Sequence, residues 1–280
     1  MSLACFFASD LHGRRDRYDR LFRAAARERP AALFLGGDLL PGLTAEGDFV
    51  GEVLAPALVA LRDADSIRPV RVFAVLGNDD PRCEEPAVVG LADRGLLDYV
   101  HGRSCPFGAY RVFGYACIPP SPFALKDWER YDVSRYVDPG CVPPEEGRRT
   151  VPRPDADVRW GTIEGDLRAL AGDEDLSRSV FLFHAPPYGS GLDRAALDGR
   201  AVDHAPLDVH VGSIAIRRFV EARQPLLTLH GHVHESARLT GAWRERIGRT
   251  WCLSAAHDGP ELCLVRFDLE DPGTASRHLL

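Results

Sequence analysis

Seven side chains that can bind a metal ion stand just past the ends of five short apolar runs. They are Asp10 and His12, Asp38, Asn78, His184, and the pair His232 and His234. Together they supply two carboxylates, one amide and four imidazoles. Neutral imidazole is the commonest metal ligand among side chains. A single zinc site takes three or four ligands, so seven donors exceed one ion and match two that share a bridging group. Singly, each has an ordinary alternative: Asp38 after Gly-Gly as a turn, Asn78-Asp79 as a helix start, His184 as a satisfied core histidine. Five strand ends that all carry donors make the set stand out.

The elements that would position these groups follow from the apolar pattern. Residues 226–229 have strand character, and the run breaks at Gly231 before His232 and His234. In an extended backbone, residues two apart face the same side. This spacing predicts two imidazoles aimed at one point beyond the strand, with Gly231 letting the chain bend. Asp10 and His12 repeat the spacing after a strand at 3–8. Further strands are expected at 31–35, ending in Gly36-Gly37-Asp38, and at 70–76, ending in Gly77-Asn78-Asp79-Asp80. The glycines before each polar group let the main chain approach a ligand closely. A strand at 180–183 ends in His184, and Pro186 and Pro187 restrict the turn that follows. Helices are expected at 16–28, 49–62 (where Pro56 counts against the assignment), 88–94, 162–171 and 214–223, the last capped by Ser213.

Strand and helix alternate, with polar residues at the carboxyl end of each strand. That predicts an α/β fold whose site gathers outside those ends. Short strands are also expected at 97–100, 110–115, 251–253 and 261–268. The alternation of strands and turns over 238–280 suggests a second, largely antiparallel sheet. The stretch 118–158 is rich in Pro, Gly and charge and is too long for an ordinary connection. Its aromatics Phe123, Trp128, Tyr131 and Tyr136 argue against plain disorder. It reads as a cap or lid inserted in a single domain spanning 1–280.

Composition narrows the classes. The chain has 280 residues, 45% hydrophobic and 27% charged, an ordinary globular balance. It lacks an apolar run of the roughly 18 residues that a membrane span needs. The first ten residues read as the start of a strand and not as a signal peptide. The seven cysteines are scattered and odd in number, so neither a disulfide framework nor a structural zinc site is expected, and a reducing cytoplasm is the natural setting. A net charge of −7 provides no global basic field for nucleic acid. Nearly all the positive charge is arginine, with Lys126 the only lysine.

Taken in order, Asp10-x-His12, Gly37-Asp38, Gly77-Asn78-Asp79-Asp80, His184 and Gly231-His232-x-His234 resemble the motifs of the calcineurin-like metallophosphoesterase superfamily. The segments at 184–188 and 231–236 are similar to its bacterial branch related to cyclic-nucleotide phosphodiesterases. The resemblance implies a four-layer αββα sandwich, two mixed sheets face to face with helices outside. It implies that Asp10, His12, Asp38 and His234 hold one metal, that Asp38, Asn78, His184 and His232 hold the other, and that Asp38 bridges. It further implies hydrolysis of a small phosphodiester, with phosphomonoesters as the second class, by in-line attack of a metal-bridging hydroxide. The mixed N/O donor set suits two divalent ions from among Mn, Fe, Zn, Co and Ni without choosing between them.

Position 79 departs from the pattern. The family's usual motif there is Gly-Asn-His followed by an acid, and this histidine is thought to protonate the leaving group. Here the residue is Asp79. A carboxylate beside two cations is held ionised, which makes a poor proton donor. Asp79 could support a ligand instead, the leaving group could be acidic enough to need no help, or another histidine could donate. His204 and His210, on the loop before Ser213, are the candidates, against ordinary solvated loop histidines. His230 has the parity of His232 but no counterpart in the motifs, and reads as structural or supporting. Arg14, Arg82 and Tyr188 neighbour ligands and are candidates to touch phosphate. Two alternatives stand beside the enzyme reading. One is a non-catalytic binding module of the same fold, which would be expected to lose ligands. The other is a nuclease, disfavoured by the acidic charge, with the arginines of 144–153 as its place to look. No membrane partner is expected, and association into a homo-oligomer is left open.

Overall fold

The computed structural model describes residues 3–43, 47–64 and 67–280. Met1 and Ser2, read above as the start of the first strand, lie outside the described residues. In chain order the elements are β1 (Ala4–Ala8), α1 (Arg15–Glu28), β2 (Ala32–Gly36), α2 (Ala55–Asp63), β3 (Arg71–Val75), α3 (Glu85–Asp93), β4 (Asp98–Tyr99), β5 (Arg103–Phe107) and β6 (Tyr110–Tyr115). They continue with α4 (Asp155–Trp160), α5 (Ile163–Ala171), β7 (Ser179–Phe183), β8 (Ala201–Val202), β9 (Ala205–Pro206), α6 (Ile214–Arg223), β10 (Leu227–His230), α7 (Ser236–Thr240), β11 (Arg244–Ile247), β12 (Thr250–Ser254), β13 (Cys263–Asp268) and β14 (Asp271–Leu279).

Two six-stranded mixed sheets carry the fold, in the orders β14-β13-β1-β2-β3-β4 and β11-β12-β10-β7-β6-β5. In the first, β1, β2, β3 and β4 run parallel out to one edge, and β13 and β14 add on antiparallel at the other; in the second, β12, β10, β7 and β6 run parallel and antiparallel β11 and β5 close the two edges. Strands β2 and β7 are buried along their whole length, as expected where both faces of a parallel sheet are covered. The sheets meet face to face: Phe73 of β3 packs edge-on against Phe107 of β5, with ring centroids 5.4 Å apart. Helices cover the outer faces. The apolar side of α1 buries Tyr18, Leu21, Phe22 and Ala25. Ser213 caps α6 by accepting from the Ile216 N–H, as its position predicts.

Two expectations are corrected. Residues 238–280 do not form a sheet of their own: β11 and β12 extend the second sheet, while β13 and β14 join the first. The reason is that β1 would otherwise expose an unpaired edge, which β13 covers in antiparallel register from Ala4↔Asp268 to Phe7↔Val265. The helix expected over 49–62 is broken in character. A π-helical turn, Val50–Leu54, precedes α2, and the Ala55 N–H reaches back five residues to the Val50 carbonyl. Pro56 has no N–H to bond the preceding turn, so the ladder widens there instead of running on as regular α-helix.

The 118–158 stretch is held by specific contacts. Trp128 is fully buried and its Nε1–H donates to the Asp80 carbonyl at 2.8 Å. Lys126 and Glu129 form a completely buried ion pair at 2.5 Å, and Lys126 also donates to the Ser121 carbonyl. Tyr131 is buried, whereas Phe123 and Tyr136 are exposed.

Candidate metal centre

The strand ends converge as the sequence pattern requires, but not by strand parity. Asp10, His12, Asp38 and His232 all have φ between 47° and 73°. Non-glycine residues adopt this left-handed region at a cost, and such residues gather where the surrounding structure dictates the geometry. Here the strands have already ended, β1 at Ala8 and β10 at His230, and tight loops do the aiming. Parallel hydrogen bonds lace the first two loops together: Asp10 N to Gly37 O, His12 N to Asp38 O and Gly13 N to Leu39 O, all 2.8–2.9 Å. Gly231 N donates to His184 O at 2.9 Å, which ties the two histidine loops of the second sheet.

The result is two donor groups that share one carboxylate. Donor atoms of Asp10, His12, Asp38 and His234 lie within 4.8 Å of one another, and those of Asp38, His184 and His232 do likewise. His232 and His234, expected to face one point, divide between the two groups. His234 Nε2 lies 3.2 Å from both His12 Nε2 and Asp10 Oδ1. His184 Nε2 lies 3.3 Å from Asp38 Oδ2 and 3.0 Å from Asn78 Oδ1, which brings the seventh candidate to the second group. The His184 Nδ1–H donates to the Gly36 carbonyl, so its Nε2 is the atom turned to the cluster.

Glycines make this convergence sterically feasible. A Cβ on Gly37, where φ is 92°, would stand 2.5 Å from His184 Nδ1. On Gly77 it would overlap Asp38 Oδ1, and on Gly231 it would stand 2.7 Å from Asp10 Oδ2. Behind the donors lies a layer of groups that hold the loops in place. The buried Asp80 carboxylate accepts from the N–H groups of Leu39, Leu40 and Gly77. The Arg17 guanidinium donates to the carbonyls of Asp10 and Gly259. The acid after Asp79 was visible as part of the motif; nothing in the sequence marks Arg17, which sits on the buried face of a helix.

The electrostatics describe a site that calls for positive charge. Burial opposes a charge on His184, yet the Asp38 carboxylate beside it prevails and lifts its pKa to about 10. Burial likewise opposes charge on His234, and Asp10, through its hydrogen bond and its charge, raises it to about 9. Burial and the charge of His184 push His232 down to about 3. Burial alone would raise Asp10 and Asp38; the His234 hydrogen bond and charge hold Asp10 well below the usual carboxylate range, and His184 lowers Asp38. Protons on imidazoles thus stand in for the positive charge that the two acids demand. His12 Nε2 and His234 Nε2 face each other at 3.2 Å, and a single proton between them is the most that pair can share. The donor set therefore fits cations: oxygen and nitrogen ligands in two groups around a common carboxylate.

The remaining candidates fall in different places. Asp79 is half-exposed, with Oδ2 3.7 Å from His12 Nδ1, and it accepts from the Asn78 amide. Burial, and then the Asp38 charge, raise its pKa. His210 Nδ1 lies 2.8 Å from the buried Asp193 carboxylate. His204 occupies the exposed tip of the β8–β9 hairpin, and among the described residues it makes no hydrogen bond or ion pair with the donor groups. The Arg82 guanidinium is committed elsewhere: it pairs with Glu85 at 3.0 Å and stacks over Trp128. Arg14 reaches Asp16 at 3.4 Å, and the Tyr188 hydroxyl donates to Asp208. His230 is structural: fully buried, it bonds the Ala185 carbonyl and Thr228 hydroxyl and stacks on Phe183.

Several solved structures share this fold. One, the protein TT1561 of Thermus thermophilus, is 19% identical, with a TM-score of 0.59 over 100% of this chain and 99% of that one. A dimetal phosphatase from Danio rerio is 14% identical, with a TM-score of 0.53 over 94% and 92% of the two chains. A phosphopantetheinyl hydrolase from Mycobacterium tuberculosis is 12% identical, with a TM-score of 0.53 over 91% and 89%. At these identities the likeness is one of fold. No curated protein matches the chain. The family model described as calcineurin-like phosphoesterase matches residues 5–236, the span that holds both donor groups, and the chain belongs to that family.

Proposed function

We propose that this chain is a two-metal phosphoesterase that hydrolyses a small phosphodiester in preference to a monoester. The observation that carries the reading is the Asp38 carboxylate, common to both donor groups. Asp10, His12, Asp38 and His234 would hold one divalent ion, and Asp38, Asn78, His184 and His232 the other. When bound, such ions lower the pKa of a shared water and stabilise charge on the phosphoryl oxygens.

This chain's own residues set the substrate preference. Asp10 and Asp38 offset two of the four positive charges that two ions bring, and a hydroxide would offset a third. Asp79 adds a further carboxylate, half-exposed at the edge of the cluster, where the family pattern has a histidine, which carries no negative charge. A site left with about one positive charge or none favours a singly charged diester over a doubly charged monoester. The net charge of −7 supports a small substrate over a long nucleic acid. No described helix is long and apolar enough to cross a membrane.

We read the 118–158 segment as a cap fixed beside the Asn78 loop. Trp128 bonds the Asp80 carbonyl, and Asp127 accepts from the backbone N–H of Arg82.

The test is hydrolysis of bis(p-nitrophenyl) phosphate against p-nitrophenyl phosphate after reconstitution with Mn²⁺, with bound metal counted. The expected result is about two ions per chain, faster diester cleavage, and loss of activity by about 1,000-fold or more in Asp38→Ala and His184→Ala. Full activity in either variant, or wild-type protein that binds no metal, rejects the reading.

A further inference from the structure

A residue to protonate the leaving group is missing at position 79, and the structure places another imidazole in a posture suited to that task. Asp193 is completely buried, and its carboxylate accepts from the backbone N–H groups of Gly189, Ser190 and Gly212. Its remaining capacity goes to His210 Nδ1, at 2.8 Å. The His210 ring is one-third exposed, and its Nε2 has no hydrogen-bond partner among the described residues. Asp208 accepts from the His210 backbone N–H, and the Tyr188 ring lies against the imidazole with centroids 5.9 Å apart. A histidine fixed at one nitrogen by a buried carboxylate, with the other turned outward, is oriented for proton transfer.

Both sides of this loop are tied to metal-candidate loops. On one side, Ser213 N donates to Pro186 O and Tyr188 N to Ser213 O, which pins the end of the His210 loop to the turn that follows His184. On the other, Arg194 N donates to Ser236 Oγ, Ser236 Oγ to Gly191 O, and Ala196 N to Glu235 Oε1. Glu235 and Ser236 directly follow His234. The Asp193–His210 pair is thereby bracketed between the two histidine loops of the centre.

We infer that His210 gives the leaving-group oxygen its proton and that Asp193 is the positioning residue that aims it. This rests on the phosphoesterase reading above. In the protonated ring, Nδ1–H donates to Asp193 and Nε2–H to the ester oxygen. As the P–O bond breaks, its electron pair stays on that oxygen, which takes the Nε2 proton. The attacking water delivers its OH to phosphorus, and its other hydrogen returns to the imidazole through solvent. The ring ends as it began.

The experiment compares Mn²⁺-loaded wild type, His210→Gln and Asp193→Asn on a series of aryl methyl phosphodiesters, from p-nitrophenyl to phenyl. The expected result is a loss of about 100-fold on the phenyl ester and about tenfold or less on the p-nitrophenyl ester in His210→Gln, because only the poorer leaving group needs the proton. Asp193→Asn steepens the same leaving-group dependence with metal content as in wild type, and it melts at a lower temperature because the amide nitrogen cannot accept from the backbone N–H groups that the carboxylate serves. In ¹⁵N spectra of the metal-free protein, Asp193→Asn also moves the neutral His210 ring away from the Nδ1–H tautomer. Equal losses on all esters, no loss, or an unchanged tautomer overturns the proposal while leaving the phosphoesterase reading intact. A metal-loaded wild type that cleaves none of the series overturns both.

Discussion

Asp80 accepts a 2.6 Å hydrogen bond from the backbone N–H of Leu40, and with it joins two metal-candidate loops. The same carboxylate takes the N–H groups of Leu39 and Gly77, so the chain after Asp38 and the chain before Asn78 are held at a fixed spacing. Asp80→Ala leaves three donors without this acceptor, at about 1–3 kcal/mol for each buried group that finds no replacement. The expected outcome is a large fall in urea-unfolding stability together with loss of bound metal. Asp80→Asn keeps an acceptor oxygen and falls between. Unaltered metal content in Asp80→Ala would show that the spacing is set elsewhere.

Gly77→Ala tests the steric argument. The added Cβ meets the Asp38 backbone nitrogen at 2.5 Å as well as its carboxylate, and backbone cannot step aside as a flexible side chain can. Overpacking of this kind costs about 1–3 kcal/mol, and the displaced Asp38 serves both donor groups. Isothermal titration with Mn²⁺ is expected to show binding weakened at both sites. Weakening of one alone contradicts the shared role of Asp38.

Metal uptake is expected to release protons. His184 and His234 have pKa values raised to about 10 and about 9, so in the metal-free protein at pH 8 both are charged. A ligand imidazole must be neutral, so binding expels about two protons per chain from these two rings, and a shared water held as hydroxide would release about one more. His232, already pushed down to about 3, contributes none. Affinity therefore rises with pH up to about 9–10, and falls below that by about tenfold per proton for each unit of pH. Calorimetry in buffers of different ionisation enthalpy counts the protons. A count near zero at pH 8 overturns the charge assignment.

The buried pair in the 118–158 segment makes a separate prediction. Burial raises the Glu129 carboxyl to about 7 even against the opposing charge of Lys126. A raised carboxyl stabilises the fold below its unfolded pKa, and that contribution is lost as pH climbs through the folded value. Lys126→Met removes the cation and is expected to cost about 3 kcal/mol or more at pH 8, and less at pH 6, where Glu129 can take up a proton. The double variant with Glu129→Gln should regain most of the loss. Urea unfolding at the two pH values checks both statements, and equal costs at pH 6 and 8 would refute the account.

The donor residues were legible in the sequence because each follows a short apolar run, and strand-ending apolar runs are a local signal. The same signal placed β6 at Tyr110–Tyr115, and the cap residue Ser213 placed α6 at Ile214–Arg223. Strand β14 was missed because Asp271–Leu279 is an edge strand of Thr, Ser, Arg and His whose burial alternates weakly. Its identity as a strand comes from its partner β13 and not from its own side chains. The division of the last four strands between two sheets was equally invisible, since it depends on which edge is left uncovered by chain far away in sequence.

By itself the sequence determined which groups could bind metal, in what order, and that each would stand at the carboxyl end of a strand. It also exposed the departure at Asp79. Only the tertiary structure decided how the groups are shared out. His232 and His234 part company because the strand stops at His230 and His232 takes a left-handed backbone, so spacing along the chain no longer tells direction. Asp38 becomes common to both groups through hydrogen bonds between loops distant in the chain, and Asp193 comes to face His210 across a loop that the two histidine loops hold from either side. Side-chain direction in a loop is set by what the loop packs against, and no local pattern encodes that.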